Sequence, residues 1–236
     1  MTLAENIASV KARMAAAALA AGRDPAEVTL CAATKVQSSE TIRAAIAAGI
    51  NLCGENRVQE LTAHLADGAY AGARVHFIGH LQRNKVKQVV GRVDLIESVD
   101  GEELLTLIGR QAQKLGIVQD ILLEVNLGRE ESKTGLLPEQ VPRLAGLAAG
   151  LEGVRLRGLM AIPPISLEKG ANRAFFALAR QLFVDITEKR YDNKNDINCL
   201  SMGMSGDFED AILEGATLVR VGTALFGPRP RPVDQE

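Results

Sequence analysis

Residues 28–66 read VTLCAATKVQSSETIRAAIAAGINLCGENRVQELTAHLA. Two short apolar runs, 28–35 and 50–56, are each followed by a longer segment of helical spacing, 38–48 and 56–66. Apolar runs of this length suit strands buried on both faces, and the segments after them suit helices laid over a sheet. Ser38 and Ser39 stand ahead of the first helix with Glu40 in its first turn, and Gly49 sits where that helix should stop.

The same alternation extends outward. Further strands are predicted at 74–79, 94–99, 120–127, 154–162, 197–204 and 217–227, with helices at 81–90, 101–115, 138–149, 168–189 and 206–214. Pro138 with Glu139 opens one helix, and Gly91, Gly116 and Gly150 mark helix ends. Eight strands alternating with helices define a parallel α/β sheet, and the count predicts closure into a single (β/α)8 TIM barrel. Residues 1–236 are read as one domain. An extra N-terminal helix (1–24) carries an apolar face of Leu3, Ile7, Val10, Met14 and Leu19, 190–198 is a loop, and 228–236 is a flexible tail.

Composition narrows the function. Apolar residues are 47% of the chain and the net charge is −2, which describes an ordinary soluble surface over a large core. A nucleic-acid partner is not expected, for want of a basic excess and with aromatics at only 3%. Glu5, Lys11 and Arg13 interrupt the N-terminal apolar residues, so neither a signal peptide nor a membrane span is read there. Cys31, Cys53 and Cys199 have neither zinc nor redox spacing; they are expected as small buried hydrophobes in a reducing cytoplasm. His76 and His80 straddle a strand end without a clear third ligand, so no metal is expected. Arg83, Lys85 and Lys87 read as a solvated helix face, and Lys133 as a loop cation facing an anion or a carboxylate.

In such a barrel the chemistry sits where the strands end. Those ends supply Lys35, Asn56, Gly79 with His80, Ser98, Asn126, Met160, Met204 with Ser205, and Gly222 with Thr223. Lys35 closes the otherwise uncharged run VTLCAAT; a poorly solvated ammonium there should lose its proton more easily and attack an aldehyde. The plainer alternative is a lysine reaching past the strand end to solvent. SMGMSGDFEDAI (201–212) puts Ser205, Gly206 and Asp207 at a strand-to-helix turn, and VRVGTALFG (219–227) puts Gly222 and Thr223 at the end of the last strand. Both turns suit anion binding, or simply permit tight turns. Arg220 shares a strand face with Gly222, either as a permanent cation under a bound ring or as partner of a carboxylate such as Glu55 or Glu124.

The stretches ATK (33–35), GENRVQE (54–60), HFIGHLQRNK (76–85), VNLGREESKTG (125–135), GLMAIPP (158–164), LSMGMSGDFEDAI (200–212) and VRVGTALFG (219–227) run in order through nearly the whole chain. On them the sequence resembles the pyridoxal phosphate homeostasis proteins, a family similar to the N-terminal barrel of alanine racemase. The resemblance implies pyridoxal 5′-phosphate held as an aldimine on Lys35, and Arg220 near the pyridine nitrogen. It also implies a phosphate on Ser205, Gly222 and Thr223, with Asn56 and Met204 beside the cofactor. His80 is assigned no role.

Arginine keeps its proton, so the ring nitrogen facing it stays unprotonated and makes a weak electron sink. Racemisation needs a second base, and the two tyrosines, Tyr70 and Tyr191, are expected in surface segments. The resemblance therefore implies a non-catalytic monomeric carrier or regulator in vitamin B6 balance, with apo-enzymes that use the cofactor as recipients. A small pyridoxal-phosphate-dependent racemase or decarboxylase, and an aldolase-like phosphate-binding barrel using Lys35 on a sugar, remain as alternatives.

Overall fold

A computed structural model describes residues 1–130, 132–164, 166, 168, 170–189 and 197–228. Eight parallel strands close on one another in sequence order: β1 (Thr29–Ala33), β2 (Leu52–Glu55), β3 (Arg74–Phe77), β4 (Leu95–Val99), β5 (Gln119–Val125), β6 (Val154–Ala161), β7 (Cys199–Ser201) and β8 (Leu218–Val221). The ring shuts between β1 and β8, where Thr29 pairs with Leu218 and Cys31 with Arg220. The expected (β/α)8 architecture is the one observed.

The outer helices are α1 (Leu3–Ala20), α2 (Ser39–Ala47), α3 (Val58–Ala66), α4 (Glu102–Lys114), α5 (Val141–Gly150), α6 (Arg173–Glu188), α7 (Phe208–Leu213) and α8 (Thr223–Phe226). The helix expected at 81–90 is a 3-10 segment, Arg83–Gln88, and that expected at 138–149 opens with one, Pro138–Gln140. The strand expected over 217–227 ends at Val221, because Gly222 turns the chain into α8. Gly150 is the last residue of α5, as expected, while the left-handed turn falls to Gly153, at φ 84°. Residues 190–196 and 229–236, which hold most of the expected loop and tail, lie outside the described residues.

Helix α1 begins with a reciprocal cap: Thr2 Oγ1 accepts the Glu5 amide, and Glu5 Oε2 accepts the Thr2 amide. Its buried face is Ile7, Val10, Met14, Ala17 and Ala18; Leu19 lies off that stripe and is exposed, contrary to the apolar face read from sequence. Asn6 Nδ2 donates to the Leu225 carbonyl at 2.8 Å, and Arg13 pairs with Glu209 at 2.7 Å, so α1 is tied to α7 and α8.

The main core lies between the strands and the helix ring, where Phe77, Phe176 and Phe208 are fully buried. Each such side chain contributes about 1.5–3 kcal/mol. Inside the barrel the apolar filling is smaller: Cys31, Ala33, Leu52, Ile78 and Leu218 form one cluster, and Leu95, Leu122 and Met160 another. Between them runs buried polarity from His76, Glu97, Ser201 and Arg220.

Candidate functional site

One cavity of about 320 Å³ opens at the C-terminal ends of the strands. Its lining includes all seven residues singled out as cofactor-binding: Lys35, Asn56, Met204, Ser205, Arg220, Gly222 and Thr223. Gly206 joins them, and Ile78 and Ile162 form apolar walls.

The local chain path aims Lys35. Thr34 Oγ1 donates to Glu55 Oε1 at 2.6 Å, and the Thr34 amide donates to the Gly54 carbonyl, fixing the residue before it. Val36, the residue after it, has φ 59° although it is β-branched, a strained conformation. The Val36 amide donates to Glu60 Oε2 on α3 at 2.9 Å, which holds that turn. Lys35, between these anchors, is half-buried.

Two turns gather backbone amides at the rim of the cavity. Ser205 Oγ accepts the amides of Gly222 and Ala224, both at 3.2 Å, so two N–H groups from the start of α8 converge on one hydroxyl. Asp207 shapes the opposite turn by accepting the Met204 amide at 2.7 Å and the Asn172 side chain at 2.8 Å. Asp207 is therefore a turn-forming residue and does not line the cavity. Asn56 Oδ1 is buried and has no hydrogen-bond partner, an acceptor awaiting a donor.

Arg220 forms the floor. Its Nη1 donates to Ser201 Oγ at 2.5 Å and its Nη2 to the Ala161 carbonyl at 3.1 Å. The carboxylate nearby is Glu97, at 3.9 Å, and neither Glu55 nor Glu124. Glu55 instead takes hydrogen bonds from Thr34 and Tyr70, while Glu124 accepts from Thr134. Burial acts to raise the Glu97 carboxyl, yet hydrogen bonding and charge from His76, with Arg220 and Ser201, outweigh it and hold Glu97 below the ordinary carboxylate range.

Other strand-end residues lie apart. Ser98 Oγ donates to the Gly79 carbonyl, His80 sits 3.2 Å from Asp100 in a neighbouring depression, and Asn126 Nδ2 donates to the Glu130 carbonyl. Met160 is buried within the barrel, and Lys133 pairs with Glu130. His76 and His80 do not converge, and no group of three metal-ligating side chains occurs among the described residues. Cys31 and Cys53 are buried as expected, and Cys199 is half-buried.

Tyr70 is a correction. It is buried, not in a surface segment: its hydroxyl donates to Glu55 at 2.9 Å and lies 3.2 Å from His64 Nδ1. Tyr191 lies outside the described residues. Sequence reading missed Ile78 and Ile162, although each stands two residues beyond an inward-facing position, His76 and Met160. It also missed Glu97, whose signal was a charge in the middle of the apolar run DLIESV.

Residues 2–230 match the family model described as alanine racemase, N-terminal domain. A relative in Pseudomonas aeruginosa, named pyridoxal phosphate homeostasis protein, is 43% identical over 228 residues, 97% of this chain and 96% of that one. The crystal structure of an unknown protein from Bifidobacterium adolescentis superposes with a TM-score of 0.89 at 40% identity, covering 95% of this chain and 94% of the other. PipY of Synechococcus elongatus PCC7942, solved with PLP bound, gives a TM-score of 0.83 at 35% identity, over 96% of this chain and all of PipY (100%).

Proposed function

Because this chain belongs to the alanine racemase N-terminal domain family and, within it, to the pyridoxal phosphate homeostasis proteins, we propose that it binds pyridoxal 5′-phosphate in the strand-end cavity. The observation that carries the reading is the convergence, in one cavity, of the Lys35 amine, the amides gathered on Ser205, and Arg220. The residues suit the group: the turn amides and the Ser205 hydroxyl form an anion cradle, and Asn56 Oδ1 lacks a donor.

Lys35 holds the cofactor covalently. Its amine, set at the strand end between the Thr34 and Val36 anchors, would be the group that condenses with the cofactor's aldehyde, with loss of water. Ser205, Gly222 and Thr223 would hold the phosphate, Asn56 and Met204 would flank the ring, and Arg220 would face the pyridine nitrogen. When bound, the cofactor supplies a reactive aldehyde and an electron-accepting ring. Arg220 cannot surrender a proton to that ring, which keeps it a poor electron sink. Among the described lining residues, Lys35 is the one side chain besides Arg220 that ionises, and Tyr70 is committed to Glu55. Both points support a carrier that stores and releases the cofactor to apo-enzymes rather than a racemase or decarboxylase.

The test is the visible absorbance of the protein loaded with pyridoxal phosphate, followed by borohydride reduction and peptide mass spectrometry. A yellow protein with a pyridoxyl group on Lys35, absent in Lys35→Ala, is expected. A colourless protein that takes up none overturns the reading, and turnover of amino acids at useful rates overturns the carrier role.

A further inference from the structure

Four buried polar side chains cross the barrel interior: His76 on β3, Glu97 on β4, Ser201 on β7 and Arg220 on β8. His76 Nδ1 lies 2.7 Å from Glu97 Oε1, and Ser201 Oγ lies 2.6 Å from Glu97 Oε2. Arg220 Nη1 lies 2.5 Å from Ser201 Oγ. The proton directions follow from what each group can do. Arginine only donates, so Ser201 accepts from Arg220 and passes its own proton to Glu97. Ionised Glu97 only accepts, so His76 carries a proton on Nδ1, and Nε2 is left to gain or lose one.

The two ends of this line open into different places. Arg220 lines the strand-end cavity. His76 lines a second cavity, of about 300 Å³, formed by the strand starts at the N-terminal mouth of the barrel. A carboxylate present only as counter-ion to Arg220 has no need of a histidine on its other oxygen. With neutral His76 the line sums to zero charge; with protonated His76 it sums to +1, in an interior where charge is weakly screened.

We propose that Glu97 is the positioning residue for Arg220, and that through Glu97 the protonation of His76 at one mouth of the barrel sets the field in the cavity at the other. A second cation on Glu97 leaves the charge of Arg220 less offset, so an anionic ligand above Arg220 binds more tightly. That ligand is pyridoxal phosphate, so this part rests on the function proposed above. The other ionisable groups lining the His76 cavity are Glu27, Arg74, Asp94, Asp120, Arg157 and Cys199. Asp94 accepts the Val75 amide at 2.7 Å and Asp120 pairs with Arg155 at 2.6 Å, while burial pushes the Cys199 thiol up to about 12. Glu97 is the carboxylate in direct hydrogen-bond contact with His76.

Two measurements separate this inference from the cofactor reading. In isotope-labelled, cofactor-free protein, the imidazole signals of His76 and the guanidinium Nε–H of Arg220 are followed by NMR from about pH 5 to 9. The Arg220 signal is expected to move with the His76 titration in the wild type and to stop doing so in Glu97→Gln and in Ser201→Ala. An Arg220 signal that ignores His76 in the wild type, or that follows it equally in either variant, overturns the inference. The dissociation constant for pyridoxal phosphate is then measured over the same range. It should be about three- to tenfold lower on the protonated side of the His76 titration, the size expected of one buried charge, and that step should vanish in Glu97→Gln. A wild type whose Arg220 follows His76 but which binds no pyridoxal phosphate leaves the coupling standing and overturns the cofactor reading alone. Binding without the step removes the proposed effect on the ligand.

Discussion

Ser205 Oγ accepts the amide of Gly222 at 3.2 Å while accepting that of Ala224 at the same distance, so one hydroxyl occupies the point where two helix-start amides converge. A phosphate oxygen held by those amides must displace the hydroxyl, which then turns to donate to the anion. In the proposed site Ser205 would therefore both compete with the phosphate and assist it.

Ser205→Ala removes a competitor and a donor together, so its affinity for pyridoxal phosphate should fall only about threefold to tenfold. Ser205→Asp places a fixed anion on the same amides and should weaken binding by more than about a hundredfold, while pyridoxal, which lacks the phosphate, is affected much less. Equilibrium titration with both compounds checks this. Equal losses for the two compounds would remove Ser205 from the phosphate site.

Tyr70 supplies a second prediction. Its hydroxyl, Thr34 Oγ1 and His64 share Glu55 Oε1, and Glu55 Oε2 is buried without a partner. Tyr70→Phe takes one donor from a fully buried carboxylate and should cost about 1–3 kcal/mol in urea-unfolding measurements. The spectrum of bound pyridoxal phosphate should stay that of the wild type. A variant of unchanged stability with altered proton exchange at the α-carbon of an added amino acid would instead make Tyr70 a catalytic acid.

The barrel was legible because all eight strands kept the apolar run that burial on two faces demands, and the site because turn-forming Ser205, Gly206 and Gly222 punctuate the runs beside Lys35. Local chemistry of this kind survives in sequence. What depends on pairing across the ring did not. The partner of Arg220 is Glu97, four strands away and reached through Ser201, and no spacing along the chain distinguishes it from Glu55 or Glu124. Tyr70 lies in a short polar segment that reads as surface until Glu55 is seen to face outward beneath it. The 3-10 segment Arg83–Gln88 has helical composition, yet it forms 3-10 turns, for which the sequence has no separate signature.

Gly79 offers a packing test. A Cβ there would lie 2.1 Å from the Asn56 carbonyl oxygen and 2.6 Å from its Cα, both backbone atoms that cannot swing aside. Gly79→Ala must therefore move the strand end that presents Asn56 to the cavity. The expected cost is about 3 kcal/mol, or roughly 6–12 °C in Tm for a chain of this size, with weaker cofactor binding. Thermal unfolding decides it: an unchanged Tm would mean that β2 and β3 part more easily than their pairing of Glu55 with Phe77 implies.

The acid side of the stability curve isolates Glu97. Its carboxyl is held below the ordinary value of 4.5, so its contribution is fully present above that value and is lost as pH falls through the lower folded-state value. Glu124 acts in the opposite sense: burial, opposed by its hydrogen bond with Thr134, raises it, so its contribution is present in acid and lost as pH rises through the folded-state value. A wild-type curve mixes the two, whereas the difference between wild type and Glu97→Gln cancels Glu124. At neutral pH that difference should be about 3–5 kcal/mol, because Arg220 is left as a buried charge without its carboxylate. Below about pH 4.5 it should shrink steadily as Glu97 takes up the proton that makes it resemble glutamine. Denaturant titrations at a series of pH values measure both limits. A gap that stayed constant or widened in acid would mean that Glu97 is already protonated in the native protein, and that Arg220 is balanced elsewhere.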